Sequence, residues 1–133
     1  MEDTIDIIRE AAVKSAVYLE LPSHDQLVEV EEEILLPIPR DFRTFLLECS
    51  DVLIGRLEPV TVADPGAHTH LPEVTANAWA NGLPRDLMVV CQDGDHYYCI
   101  SQEGEVQYWQ EGELTDQVWL DIWQWAEDVW LKS

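Results

Sequence analysis

Basic residues are scarce in this chain. Seven Lys and Arg stand against 27 Asp and Glu, leaving a formal net charge of -20 over 133 residues. Nothing here can neutralise a row of phosphates, so direct binding to nucleic acid is not expected. An anionic membrane surface is disfavoured for the same reason. Cysteine is sparse as well: Cys49, Cys91 and Cys99 are an odd set without paired spacing, each among apolar neighbours. They read as small buried thiols and not as a disulfide framework, and they point to a reducing compartment. No run approaches the roughly 18 apolar residues that a membrane span needs. Met1-Glu2-Asp3-Thr4 lacks the basic stretch of a signal peptide, so a cytoplasmic location is the expectation. A Gly-rich phosphate loop and a Gly-x-Ser-x-Gly nucleophile elbow are also missing, which leaves catalysis poorly supported.

What is present is enough apolar material for a core. Hydrophobic residues make up 47% of the chain, which rules out a disordered acidic tail. The length suits one domain spanning 1–133. The charge excess keeps such a domain soluble, repels anions and speeds encounter with cationic macromolecules.

Apolar spacing at Ile5, Ile8, Ala12 and Ala16 predicts a helix from about Thr4 to Tyr18, stopped by Pro22. Ser23 with Gln26 three residues on has the form of a capping box. It opens a second helix with Leu27, Val30 and Ile34 inside and Glu29, Glu32 and Glu33 mostly outside. Pro39 suits the first turn of a third helix, where Phe42, Phe45, Leu46 and Cys49 repeat at helical spacing. Val52 to Gly55 and Leu57 to Val62 are β-rich and read as strands. Thr69 to Asn81 reads as a short helix. Leu87 to Cys91, His96 to Ser101 and Glu105 to Gln110 form an antiparallel meander, joined at Asp93-Gly94-Asp95 and Glu103-Gly104. A last helix is expected from Thr115 to Leu131, with Trp119, Ile122, Trp123, Ala126 and Trp130 on one face. Leu120 and Leu131 lie nearly opposite, as a possible second contact surface. This order fits an α+β domain with helices packed against an antiparallel β-sheet.

Several residues invite a chemical reading. His68 and His70, with Asp64, resemble part of a metal site, but zinc wants three or four ligands in fixed geometry, so a surface loop is the expectation. Asp93 and Asp95 flank a glycine, where turn chemistry accounts for both. No metal and no cofactor is expected. Two patches remain as partner-binding candidates. One is Glu29, Glu32 and Glu33, an acidic strip or merely a solvated helix face. The other is Trp109, read as half exposed at a strand end, with Glu111 and Glu113 beside it. The sequence does not choose between them.

The order of motifs resembles the SUKH superfamily. Glu29-Val30-Glu31-Glu32-Glu33-Ile34 leads into Leu36-Pro37-Ile38-Pro39-Arg40-Asp41-Phe42-Arg43-Thr44-Phe45-Leu46, like that family's acidic helix, Leu-Pro and "FL" helix. Leu83-Pro84-Arg85-Asp86-Leu87, then Asp93-Gly94-Asp95-His96-Tyr97-Tyr98-Cys99-Ile100, then Gly104-Glu105-Val106-Gln107-Tyr108-Trp109, resembles its Gly-Asp and Gly-x-Val-x-x-Trp hairpin. The Trp-rich end matches too. The resemblance runs from about Gln26 to Leu131. It departs at Cys49-Ser50-Asp51-Val52, where the family often has Asn-Gly or Gly-Gly. It implies a SUKH-like α+β fold and a role without catalysis. Many bacterial members look like immunity proteins that bind and neutralise a cognate toxin, often a nuclease. Others act as signalling or scaffolding proteins. The acidic charge is compatible with a basic toxin as the partner.

Overall fold

A computed structural model describes residues 2–12 and 19–133. The elements run α1 (Glu2–Ala11), α2 (His24–Ile34), α3 (Arg40–Cys49), α4 (Leu71–Ala80), β1 (Met88–Asp93), β2 (His96–Ile100), β3 (Val106–Gln110), β4 (Glu113–Trp119) and α5 (Ile122–Trp125). The last helix continues as a π-helical turn, Ala126–Trp130. The four strands pair in sequence order, all antiparallel, so the fold is α+β.

Local chemistry explains the helix starts. The Ser23 hydroxyl accepts from the Gln26 N–H while the Gln26 side chain accepts from the Ser23 N–H, closing the expected capping box. Leu27, Val30 and Ile34 of α2 are buried, as are Phe42, Phe45, Leu46 and Cys49 of α3. Pro39 stands immediately before α3 as its cap residue. Of the first expected helix, Glu2–Ala11 is helical, and residues 13–18 lie outside the described residues.

The sheet places its aromatic side chains by register. Tyr97 faces Trp109 across β2 and β3, and Tyr98 faces Tyr108. Successive residues of a strand point to opposite faces, so the two pairs lie on opposite sides. Tyr98 meets Tyr108, Trp125 and Trp119 at ring-centroid distances of 4.7, 5.5 and 5.6 Å. The core continues through Phe45, which meets Trp130 at 5.6 Å and Trp123 at 6.0 Å.

Two expectations are overturned. The segments Val52–Gly55 and Leu57–Val62 form no strands; there are only isolated bridges, Pro59 to Cys91 and Thr61 to His70. Their apolar residues are buried as irregular chain, with Ile54, Leu57, Val60 and Val62 in the core. The expected helix from Thr115 starts instead after Asp121. Residues 113–119 make a fourth strand, because Glu111-Gly112 forms a two-residue hairpin turn that returns the chain along β3. Trp119 therefore sits on β4, and Val118 is half exposed there. Asp121 then caps α5, accepting from the Gln124 N–H at 2.8 Å. Leu120 is exposed, whereas Leu131 is half-buried against the core.

Candidate functional site

The basic side chains are largely turned to holding the fold. Arg9 donates a fork to the Asp51 carboxylate (2.9 and 3.2 Å) and also reaches the Glu48 carbonyl, tying α1 to the end of α3. Arg43 donates to Glu31, whose second oxygen accepts the Ile38 N–H at 2.7 Å. Burial opposes ionisation of Glu31, but these two donors outweigh it and hold the carboxyl below its usual range. Arg56 donates to Asp93 at 2.6 Å, and Arg85 stacks over Trp79 at 5.3 Å. Four of the five arginines are thus engaged by their own chain.

The acidic candidates are free by comparison. Glu29, Glu32 and Glu33 are exposed on the outer face of α2, with half-exposed Val28 among them and Leu35 just beyond. Leu35 is 85% exposed and left-handed (φ 59°) at the helix end. Glu111 and Glu113 are exposed at the β3–β4 turn. Trp109 is not half exposed as expected. It is 5% exposed and belongs to the core. It faces Tyr97 at 5.8 Å and lies under Gly82, where an added Cβ would approach its ring to 3.8 Å. The pleat turns it inward, so it does not project from the surface as an anchor.

The turn that carries Glu111 borders an open groove of about 780 Å³, between the end of α4 and the hairpin tips. Asn77 and Asn81 form one wall, Asp95, His96 and Glu111 the other, and Tyr97 and Trp109 the floor. The His96 ring nitrogen and the Tyr108 hydroxyl are hydrogen-bonded at 2.8 Å. Sequence reasoning placed Trp109 and Glu111 together but missed Leu114 and Val118, the exposed apolar residues of β4. The Glu111-Gly112 turn signal would have revealed that strand.

The remaining chemical candidates stand in separate surroundings. His68 pairs with Glu58 at 2.6 Å, His70 is buried at the start of α4, and Asp64 accepts the Gly66 N–H at 2.9 Å. Asp93 is held by Arg56, and Asp95 is exposed. The three cysteines are buried, and burial pushes each thiol up to about 12. No helix among the described residues is long and apolar enough to cross a membrane.

Short helices packed with a four-stranded antiparallel sheet, an acidic surface and four of five arginines engaged within the chain define a small α+β domain. The SMI1-KNR4 cell-wall family profile, SUKH_5, matches residues 1–131, and the chain belongs to that family. The match includes the first 25 residues, where the motifs alone gave no resemblance. A crystal structure of a protein from Pseudomonas syringae pv. tomato is similar to the whole chain, at 51% identity, 100% coverage of each chain and a TM-score of 0.97. Comparison with curated proteins gives no match.

Proposed function

We propose that this protein is a non-catalytic binding domain for a basic protein, and that it acts as an immunity protein against a cognate toxin. One observation carries the reading. Seven Lys and Arg cannot balance 27 Asp and Glu, four of the five arginines are engaged within the chain, and Glu29, Glu32, Glu33, Glu111 and Glu113 stand exposed. A net charge of -20 in that arrangement attracts a cationic macromolecule and matches the potential of a phosphate-binding cleft, such as a nuclease toxin carries. Occlusion of such a cleft needs no chemistry from the inhibitor. Membership of the SUKH type supports the same reading, since many bacterial members resemble immunity proteins. The high thiol pKa values are consistent with it, because such thiols are poor nucleophiles at neutral pH.

The test is binding to the protein encoded by the adjacent reading frame, measured across a salt series. A specific complex is expected, with an association rate that falls steeply as salt screens the attraction. Addition of this chain should abolish the toxicity of that protein in cells. No complex, or a complex without protection, overturns the immunity role. A rate that does not respond to salt overturns the electrostatic mechanism.

A further inference from the structure

We propose that the open edge of β4 docks an extended cationic segment of the partner, which joins the sheet as a fifth strand. This rests on the protein-binding reading above and supplies its mode.

The two edges of the sheet are finished differently. At β1 the outer main chain is occupied. Val89 N–H donates to Thr75 Oγ1 at 3.2 Å, Val60 N–H donates to the Val90 carbonyl at 2.8 Å, and Pro59 bridges Cys91. Just before it, the Leu87 carbonyl accepts the Trp79 indole N–H at 2.9 Å. β4 ends the sheet order, and among the described residues no main chain from another element pairs with its outer side; the Gln117 N–H donates to the nearby Thr115 Oγ1 at 3.2 Å and, just past the strand, the Leu120 N–H to Gln124 Oε1 at 2.6 Å, which leaves the rest of the edge open. An edge left in this state offers unpaired N–H and C=O groups to another chain.

The side chains agree. Leu114, Val118 and Leu120 are 39, 50 and 75% exposed, three of the seven strongly exposed large hydrophobics among the described residues. Leu114 is paired with Trp109 and Val118 with Gln107, so both lie on the Trp109 face of the sheet. They offer apolar contact beside the groove that Glu111 borders.

Charge selects the occupant. Exposed edges are commonly guarded by Lys, Pro or a bulge. The β4 sequence ELTDQVW has neither Lys nor Pro. It has a bulge opposite Tyr108, and its charges are Glu113 and Asp116, with Glu111 just before. A second copy of this chain would set like charges against like, in a molecule of net charge -20. A strand bearing Lys or Arg meets opposite charge at the same positions. The bulge divides the edge into two short runs, which hinders flat, self-propagating pairing without closing the edge.

The experiment titrates isotope-labelled protein with a synthetic octapeptide of alternating Lys and Val at low salt. Amide shifts are followed by NMR. Perturbation concentrated on residues 113–120, with slowed amide exchange there, supports strand addition. The variant Asp116→Lys/Val118→Lys should then bind the peptide at least tenfold more weakly. Glu113→Lys alone serves the same purpose if the double variant loses its unfolding transition. Shifts confined to α2, around Glu29, Glu32 and Glu33, overturn the β4 site and leave the protein-binding reading standing. Peptide-free shifts in β4 that grow with protein concentration identify a second copy as the occupant and overturn the proposal. Absence of binding anywhere overturns both the edge and its electrostatic basis. Binding at β4 without a complex with the neighbour-encoded protein removes the immunity reading alone.

Discussion

Replacing Glu111 with Asn should stabilise this protein. Glu111 has φ 53° and Gly112 φ 82°, so both central residues of the β3–β4 turn are left-handed. A two-residue hairpin of this kind favours Asn-Gly, because Asn tolerates the left-handed region and Glu does not. The left-handed conformation costs an ordinary residue about 1–2 kcal/mol. Asn should recover about 0.5–1 kcal/mol of that. A chain of 133 residues unfolds with an entropy of roughly 0.28 kcal/mol/K, so Tm should rise by about 2–4 °C. Calorimetry at neutral pH measures this directly. Glu111→Gln is the necessary control, since it removes the same charge and keeps the unfavourable backbone. If Gln stabilises as much as Asn, relief of repulsion within the acidic surface is the cause and the backbone argument fails. If Asn lowers Tm, the turn is not strained at Glu111. The same variant bears on function. Glu111 sets an exposed acidic side chain at a strained turn beside the groove, where the proposed partner would meet it. Glu111→Asn should therefore weaken the partner complex while strengthening the fold.

Three further outcomes are expected. Gly55 has φ +58°, and an added Cβ would come within 2.5 Å of the Ser133 carbonyl oxygen, so Gly55→Ala should lower Tm by at least about 5 °C in a thermal melt. Trp109→Ala should cost about 3–5 kcal/mol in denaturant unfolding, because Trp109 is a core residue; a near-neutral effect would return it to the surface. Glu31 has a folded pKa below its usual 4.5, so its contribution is complete above that value and fades as pH falls through the folded one. Glu31→Gln should thus destabilise by about 1 kcal/mol at neutral pH, with the difference from wild type closing under acid conditions. A difference that persists unchanged under strong acid would contradict the ion pair.

Much of this fold was legible wherever a local signal and a burial pattern coincide. The Ser23–Gln26 box, the α3 stripe and the Asp93-Gly94-Asp95 turn are of this kind. The residues between α3 and α4 were not. Val60 and Val62 are apolar because they are buried, and burial without pairing leaves the same composition as a strand. The last region failed for the opposite reason. The apolar spacing from Thr115 to Leu131 is compatible with one long helix, and the boundary lies in two short signals. Glu111-Gly112 turns the chain, and Asp121 with Gln124 opens the helix. Reading the first as a hairpin would have exposed Leu114 and Val118 as surface residues. At the candidate site, Glu29, Glu32, Glu33, Glu111 and Glu113 are exposed as expected, while Trp109 is not. Its side depends on pleat register against Tyr97, which adjacency to Tyr108 and Glu111 does not reveal.

The way the tryptophans are housed has a practical consequence for anyone following this protein by light. Of the six, Trp109, Trp123, Trp125 and Trp130 are buried and Trp79 and Trp119 are half-buried. Native fluorescence should therefore emit toward the blue and report cohesion of the interior, shifting red only when the whole body opens. A visitor at the margin would leave most of that glow untouched, with Trp119 on the outermost strand the indole placed to notice it.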